Sequence, residues 1–330
     1  MRLWVLLFIL ILGLANTASG QDFNPKRIYQ KASKAVALIV GFDRGKESAS
    51  TGTGSIISED GLILTNAHVI YNDEKGRPFD SIRIFLKPDR VTGNMKNDTS
   101  RKFRAKVAHY SSPLDLAILK IDDPQFSRSL YLLELSNLTE TSIGDPVLAI
   151  GHPEQGGLWT LTTGTISSLI EGFNGTPGKD VFQTETSINR GNSGGPLIDR
   201  HGHLVGVNSM IARQGEGGIT ITDINFSIKS TVAMEWMHSV GYSQQYAKTT
   251  PQTVDTHPEY KTLTEKAGIV PVPTQQPKPA EIKPEPKQQP LKEPEILTEV
   301  HPYEEKDLFE QVEDEMEDMM RDMKGKIRRR

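Results

Sequence analysis

The chain has no cysteine among its 330 residues. That absence excludes disulfides, thiolate metal sites and a cysteine nucleophile. It does not exclude an oxidising compartment, because a chain of this length can bury a core large enough to fold without covalent staples. An excess of one charge is lacking too. The formal net charge is -4, which offers no broad basic surface, so no nucleic-acid partner is expected. Aromatic residues make up only 7% of the chain. The one long apolar run, residues 3–14, is shorter than the ~20 residues a spanning helix needs.

What surrounds that run is informative. Arg2 supplies a positive start, and small residues follow, with Ala18 and Gly20 at the -3 and -1 positions of a cut before Gln21. This is the layout of a secretory signal peptide over residues 1–20, which implies a secreted or periplasmic protein. An uncleaved membrane anchor is the competing reading of the same segment.

Between residues 31 and 229 short apolar runs are separated by Gly, Asn, Asp or Pro. They cover 35–42, 53–57, 62–65, 82–86, 103–110 and 116–121, then 146–151, 158–170, 181–184, 196–198, 204–210 and 224–228. Short strands at this density indicate an all-β barrel or sandwich rather than βαβ units. Residues 122–143 carry few strand signals and are placed as a connection between two β halves, about 31–121 and 144–229. Val232, Trp236 and Val240 fall at helical spacing, so one short helix is expected to close a domain spanning 21–242. Residues 243–303 are mostly Pro, Lys, Glu and Gln, too poor in apolar surface to offset ordering entropy, and read as a disordered linker. Residues 304–330 read as a charged helical tail, acidic first and basic last, which suits the helix dipole. The tail is either a solvated helix or, with its methionine-rich face, a docking helix for a partner protein or membrane surface.

A serine hydroxyl is a poor nucleophile unless a base takes its proton, and that base needs a third group to fix its tautomer. Donors must also face the developing oxyanion. Gly191-Asn192-Ser193-Gly194-Gly195-Pro196-Leu197 offers a serine in a glycine-lined turn whose backbone N–H groups can converge. His68 follows an apolar run in Leu64-Thr65-Asn66-Ala67-His68-Val69, while His109, His152, His201 and His203 have no comparable setting and read as structural or surface residues. Asp115 sits in Leu114-Asp115-Leu116-Ala117, where burial without a partner would be costly. It pairs either with a basic group or with His68.

The segments Thr65-Asn66-Ala67-His68-Val69, Asp115-Leu116-Ala117 and Gly191-Asn192-Ser193-Gly194-Gly195-Pro196 resemble the three catalytic blocks of trypsin-like serine peptidases, in the His, Asp, Ser order of the chymotrypsin clan. The stretch 184–196 is similar to the HtrA/DegP group, and the resemblance covers roughly residues 31–240. It implies two antiparallel six-stranded β-barrels with the active site between them. His68, Asp115 and Ser193 would be the catalytic triad, and the backbone N–H groups of Gly191 and Ser193 the oxyanion hole. The same matching puts Ser187 at the base of the S1 pocket, Phe226 at its back, and Ser209, Met210 and Ile211 along one wall. Because Ser187 is not acidic, an apolar P1 residue is expected rather than Lys or Arg.

The resemblance implies serine endopeptidase activity on polypeptides, by analogy unfolded or damaged envelope proteins, with no metal or organic cofactor. Two departures stand out. Gly194 occupies the position where zymogen-activated relatives carry an Asp, and the residues beyond 242 are too apolar-poor to form the PDZ domain usual in HtrA proteases. A homotrimer packed through Phe23 and Tyr29 is an open hypothesis. The alternative function is a chaperone-like or scaffold protein that keeps the fold for binding.

Overall fold

The computed structural model describes residues 23–43, 49–124, 126, 131–154, 156–209 and 224–248. The expected signal segment, the tail and all but the first few residues of the expected linker lie outside them. Helix α1 (Pro25–Ala32) is the first element of the described residues. Its start is dictated locally: the Asn24 side chain accepts from the Arg27 N–H, and Pro25, which has no N–H to satisfy, sits in the first turn. Ile28 and Ala32, one turn apart, are its buried face.

The first closed barrel is built from β1 (Val36–Phe42), β2 (Ala49–Ile56), β3 (Leu62–Thr65), β6 (Ser81–Leu86), β7 (Lys102–Ser111) and β8 (Leu116–Ile121), in the order β1-β2-β3-β8-β7-β6. Helix α2 (Ala67–Ile70) and the two-residue strands β4 (Tyr71–Asn72) and β5 (Arg77–Pro78) lie between β3 and β6, and helix α3 (Met95–Asp98) between β6 and β7. The second closed barrel contains β9 (Pro146–Gly151), β10 (Thr160–Ile170), β11 (Val181–Thr184), β12 (Pro196–Ile198), β13 (Leu204–Ser209) and β14 (Asn225–Lys229), in the order β10-β11-β14-β13-β12-β9. All named pairings are antiparallel. Closure leaves the barrels no unpaired strand edge. The architecture expected from the sequence, two antiparallel six-stranded barrels, is therefore the one observed. Helix α4 (Ser230–Ser239) closes the domain as expected, burying Val232, Ala233, Met234, Trp236 and Met237.

The connecting segment stitches the two barrels together. Leu133 N–H donates to the Ile56 carbonyl on β2, and Ser136 N–H donates to the Leu204 carbonyl on β13. Fully buried Trp159 adds a third tie, its indole N–H donating to the Val36 carbonyl at 2.9 Å. The described residues continue past 242. Ala247 is buried, and its N–H donates to the Leu135 carbonyl at 2.8 Å. Burial of this apolar side chain favours the packing of the stretch.

Candidate active site

Strand β3 ends at Thr65, and extended Asn66 turns the chain into α2, which carries His68. Asp115 lies in the turn between β7 and β8 with φ 56, a left-handed conformation costly for a residue with a Cβ. The Asn66 side chain holds it there, donating to the Asp115 carbonyl at 2.8 Å. The Asp115 carboxylate accepts from His68 twice. The backbone N–H reaches Oδ1 at 3.1 Å, and ring Nδ1 lies 3.0 Å from both oxygens. The Ser209 hydroxyl, from the second barrel, donates to Oδ2 at 2.7 Å. Burial pushes the Asp115 carboxyl up, but the His68 hydrogen bond and charge and the Ser209 hydroxyl outweigh it, and the group stays below its ordinary value. An ionised carboxylate only accepts, so His68 carries its proton on Nδ1 and turns a basic Nε2 outward. The His68 side chain is 41% exposed and that of Asp115 only 15%, which leaves the far edge of the ring open to an incoming group.

Ser193 is buried, and its Oγ meets no hydrogen-bond partner among the described residues. The structure thus joins His68 to Asp115 but does not bond Ser193 to His68. Catalytic hydrogen bonds of this kind commonly tighten only when substrate binds. The turn itself is held against the first barrel, with Thr53 N–H donating to the Ser193 carbonyl at 2.8 Å. Gly194 has φ 80, and a Cβ there would collide with the Thr65 hydroxyl and the Thr53 carbonyl. That is the physical reason no aspartate can occupy this position.

Successive carbonyls of the turn are all engaged. The Arg190 carbonyl accepts from Glu154 N–H, Gly191 from the Thr53 hydroxyl, Asn192 from Gly195 N–H and Ser193 from Thr53 N–H. The N–H groups of Asn192, Gly194 and Gly195 also find acceptors. Between residues 191 and 195, those of Gly191 and Ser193 alone meet no acceptor among the described residues. In a trans peptide the N–H points opposite the C=O, so the bonds to the Arg190 and Asn192 carbonyls orient these two donors. Two oriented, unspent donors flanking a serine are what a developing oxyanion requires.

The expected S1 residues are less concentrated. Ser187 is exposed, and its carbonyl accepts from Thr162 Oγ1 at 3.0 Å. Half-buried Phe226 packs its ring on Phe173, with centroids 4.7 Å apart. The Ser209 hydroxyl is spent on Asp115. Met210 and Ile211 lie outside the described residues. Sequence reasoning missed Asn225, whose side chain donates to the Thr186 carbonyl beside Ser187. It does not single out Thr53, and it reads His152 as structural or surface; their contact joins segments 99 residues apart, so no local pattern marks it.

The trypsin-like peptidase domain family matches residues 52–207. A probable periplasmic serine endoprotease, DegP-like, of Hahella chejuensis is 33% identical over 196 residues, covering 59% of this chain and 36% of the relative. The serine endoprotease DegS of Salmonella typhimurium is 35% identical over 192 residues, covering 58% and 48% respectively. Among solved structures, the HtrA-type protease AlgW with tripeptide matches with TM-score 0.52 and 31% identity, over 66% of this chain and 63% of that one. The serine endoprotease from Yersinia pestis matches with TM-score 0.50 and 30% identity, over 66% and 67%. Fold, site and likeness define a trypsin-like peptidase domain, and its relatives and solved neighbours include DegP-like, DegS and HtrA-type proteases. The chain spans about a third to a half of the length of these two curated relatives.

Proposed function

We propose that the chain is a serine endopeptidase of HtrA type. Ser193 Oγ attacks the substrate carbonyl carbon while His68 Nε2 takes the hydroxyl proton. The oxyanion is received by the N–H groups of Gly191 and Ser193. His68 then gives its proton to the leaving amine as the C–N bond breaks, and water hydrolyses the acyl-enzyme by the same route in reverse. Asp115 orients His68 and stabilises the imidazolium, and Ser209 orients Asp115. The observation that carries this reading is the pairing of His68 Nδ1 with the Asp115 carboxylate, on a fold whose nucleophile turn, between residues 191 and 195, leaves the Gly191 and Ser193 N–H groups without an acceptor among the described residues.

The substrates are unfolded polypeptides of the cell envelope, and the compartment is the periplasm, reached through residues 1–20. The names of the relatives and the apolar N-terminal run support this. The P1 preference is small or medium apolar, since Ser187 supplies no negative charge for Lys or Arg. The S1 walls are assigned to Ser209, Met210, Ile211 and Phe226. Assembly as a homotrimer is part of the proposal, with Phe23 as its aromatic contact. Tyr29 is committed within the chain, its phenol donating to the Trp159 carbonyl at 2.8 Å. Residues 304–330 are assigned to docking of a partner protein or membrane surface.

Digestion of a permanently unfolded protein, with every new terminus mapped by mass spectrometry, tests the activity and its specificity. The expected result is cleavage after Val, Ala, Leu or similar residues and none with S193A. Cuts dominated by Lys and Arg would overturn the S1 assignment, and equal cutting by S193A would overturn the mechanism.

A further inference from the structure

Thr53, fully buried in β2, faces the nucleophile turn across the boundary between the barrels. Its hydroxyl lies 2.6 Å from the Gly191 carbonyl and 2.9 Å from Nδ1 of His152. A hydroxyl has one proton, and a carbonyl oxygen can only accept. The proton is therefore spent on Gly191, and the second contact runs the other way, from His152 Nδ1–H to the hydroxyl oxygen. That fixes the tautomer. His152 is protonated on Nδ1, and its Nε2 is buried without a hydrogen-bond partner among the described residues.

The ring is held in place. It stands edge-on to Trp159 at 4.9 Å between centroids, and Trp159 is anchored at both ends by the Val36 carbonyl and the Tyr29 phenol. Burial also keeps the imidazole neutral, its pKa pushed down to about 3. The opposite tautomer would present Nδ1 as an acceptor and compete with Gly191 for the one hydroxyl proton. The Gly191 carbonyl would then be released, and the Gly191–Asn192 peptide plane, which links the two planes that carry the Gly191 and Ser193 donors, would be held only by the Asn192 N–H on the Asn189 carbonyl. A Cβ at Gly191, where φ is 88, would collide with the carbonyl of His152 itself, so segment and turn are packed in direct contact.

We propose that His152 and Thr53 are positioning residues for the oxyanion turn: the fixed Nδ1–H tautomer directs the Thr53 hydroxyl onto the Gly191 carbonyl and so holds the two free N–H donors in place. The inference rests on the serine-peptidase reading. Both side chains are buried and bonded to the turn rather than open to solvent, so both are expected to act on the acylation rate rather than on substrate affinity.

The contrast is between T53V and T53S, and between H152L and H152N. Val removes the donor at similar volume and Ser restores it. Asn places an N–H donor the same number of bonds from Cβ as His Nδ1, and Leu places none. The expected result is a fall in kcat of roughly 10- to 100-fold for T53V and about 10-fold for H152L, with KM within about 2-fold. T53S and H152N should recover to within about 3-fold of wild type. Affinity for a peptide boronate, which mimics the tetrahedral state, should fall with kcat, while affinity for a product peptide should not.

Folded T53V and H152L with wild-type kcat would overturn the proposal, as would T53S failing as badly as T53V. If T53V does not fold, the H152L and H152N pair carries the same contrast. A separate readout needs no activity. Two-bond ¹H–¹⁵N spectra of S193A protein should show His152 protonated on Nδ1, and an Nε2–H tautomer would overturn the proposal. Inert wild type together with the expected tautomer would instead count against the peptidase reading alone.

Discussion

Burial holds the His152 imidazole neutral down to about pH 3, whereas in the unfolded chain it takes a proton near its ordinary 6.5. Between those values the unfolded state binds one more proton than the folded state, so this residue's contribution is complete above about pH 6.5 and is lost as pH falls. The loss is about 1.4 kcal/mol per pH unit across that window. Asparagine at this position does not titrate. Denaturant unfolding at several pH values should therefore show wild type losing stability relative to H152N as pH drops from 6.5 to 4.5, and parallel curves would contradict it. Asp115 adds an acid-side dependence of the same sign at lower pH, because its folded pKa lies below the ordinary carboxylate value. None of this was legible along the chain. The sequence marks His152 only as a structural or surface residue, and the folded contacts with Thr53 and Trp159 are what show it to be a buried donor.

Helix α1 is eight residues long and depends on its cap. N24A removes the acceptor for the Arg27 N–H and should cost about 1 kcal/mol, a shift of roughly 2–4 °C in Tm for a domain of this size. A thermal melt checks it, and an unchanged Tm would show that packing of Ile28 and Ala32 alone holds the helix. This helix was missed in the sequence because Lys26, Arg27, Gln30 and Lys31 dilute its short apolar stripe. The strands were far more legible. Residues 62–65, 116–121, 146–151, 181–184 and 196–198 form strands over the very bounds that their apolar runs suggest. Turn residues punctuate these runs, and closed barrels bury nearly continuous apolar stretches. Strand β2 begins at Ala49, earlier than expected, because Ser50, Thr51 and Gly52 join the backbone ladder but carry no apolar signal. The two-residue strands β4 and β5 are too short to leave a pattern.

At the scale of the molecule, the candidate site exists only where the barrels meet. His68 and Asp115 come from the first barrel, and the Ser193 turn and Ser209 from the second. Bonds that cross the boundary, Ser209 to Asp115 and Thr53 to both Gly191 and Ser193, fix their relation. The motif order disclosed this partition through family resemblance, since nothing in the spacing of residues 68, 115 and 193 shows that they converge. The S1 pocket was the least legible part. Its walls come from separate strands and loops, although the family resemblance also implies that the Ser209 hydroxyl contacts the triad Asp, and that hydroxyl does donate to Asp115.

If Ser193 is an activated nucleophile, a fluorophosphonate will label it, and intact-mass measurement with peptide mapping reads this out. The probe's phosphorus accepts the serine oxygen and loses fluoride, so it reports the nucleophile without requiring the right peptide. The account predicts one adduct per chain, on Ser193, absent in S193A and strongly slowed in H68A. Folded wild-type protein that stays unlabelled across a series of added peptide activators, or an adduct on any other residue, would contradict it.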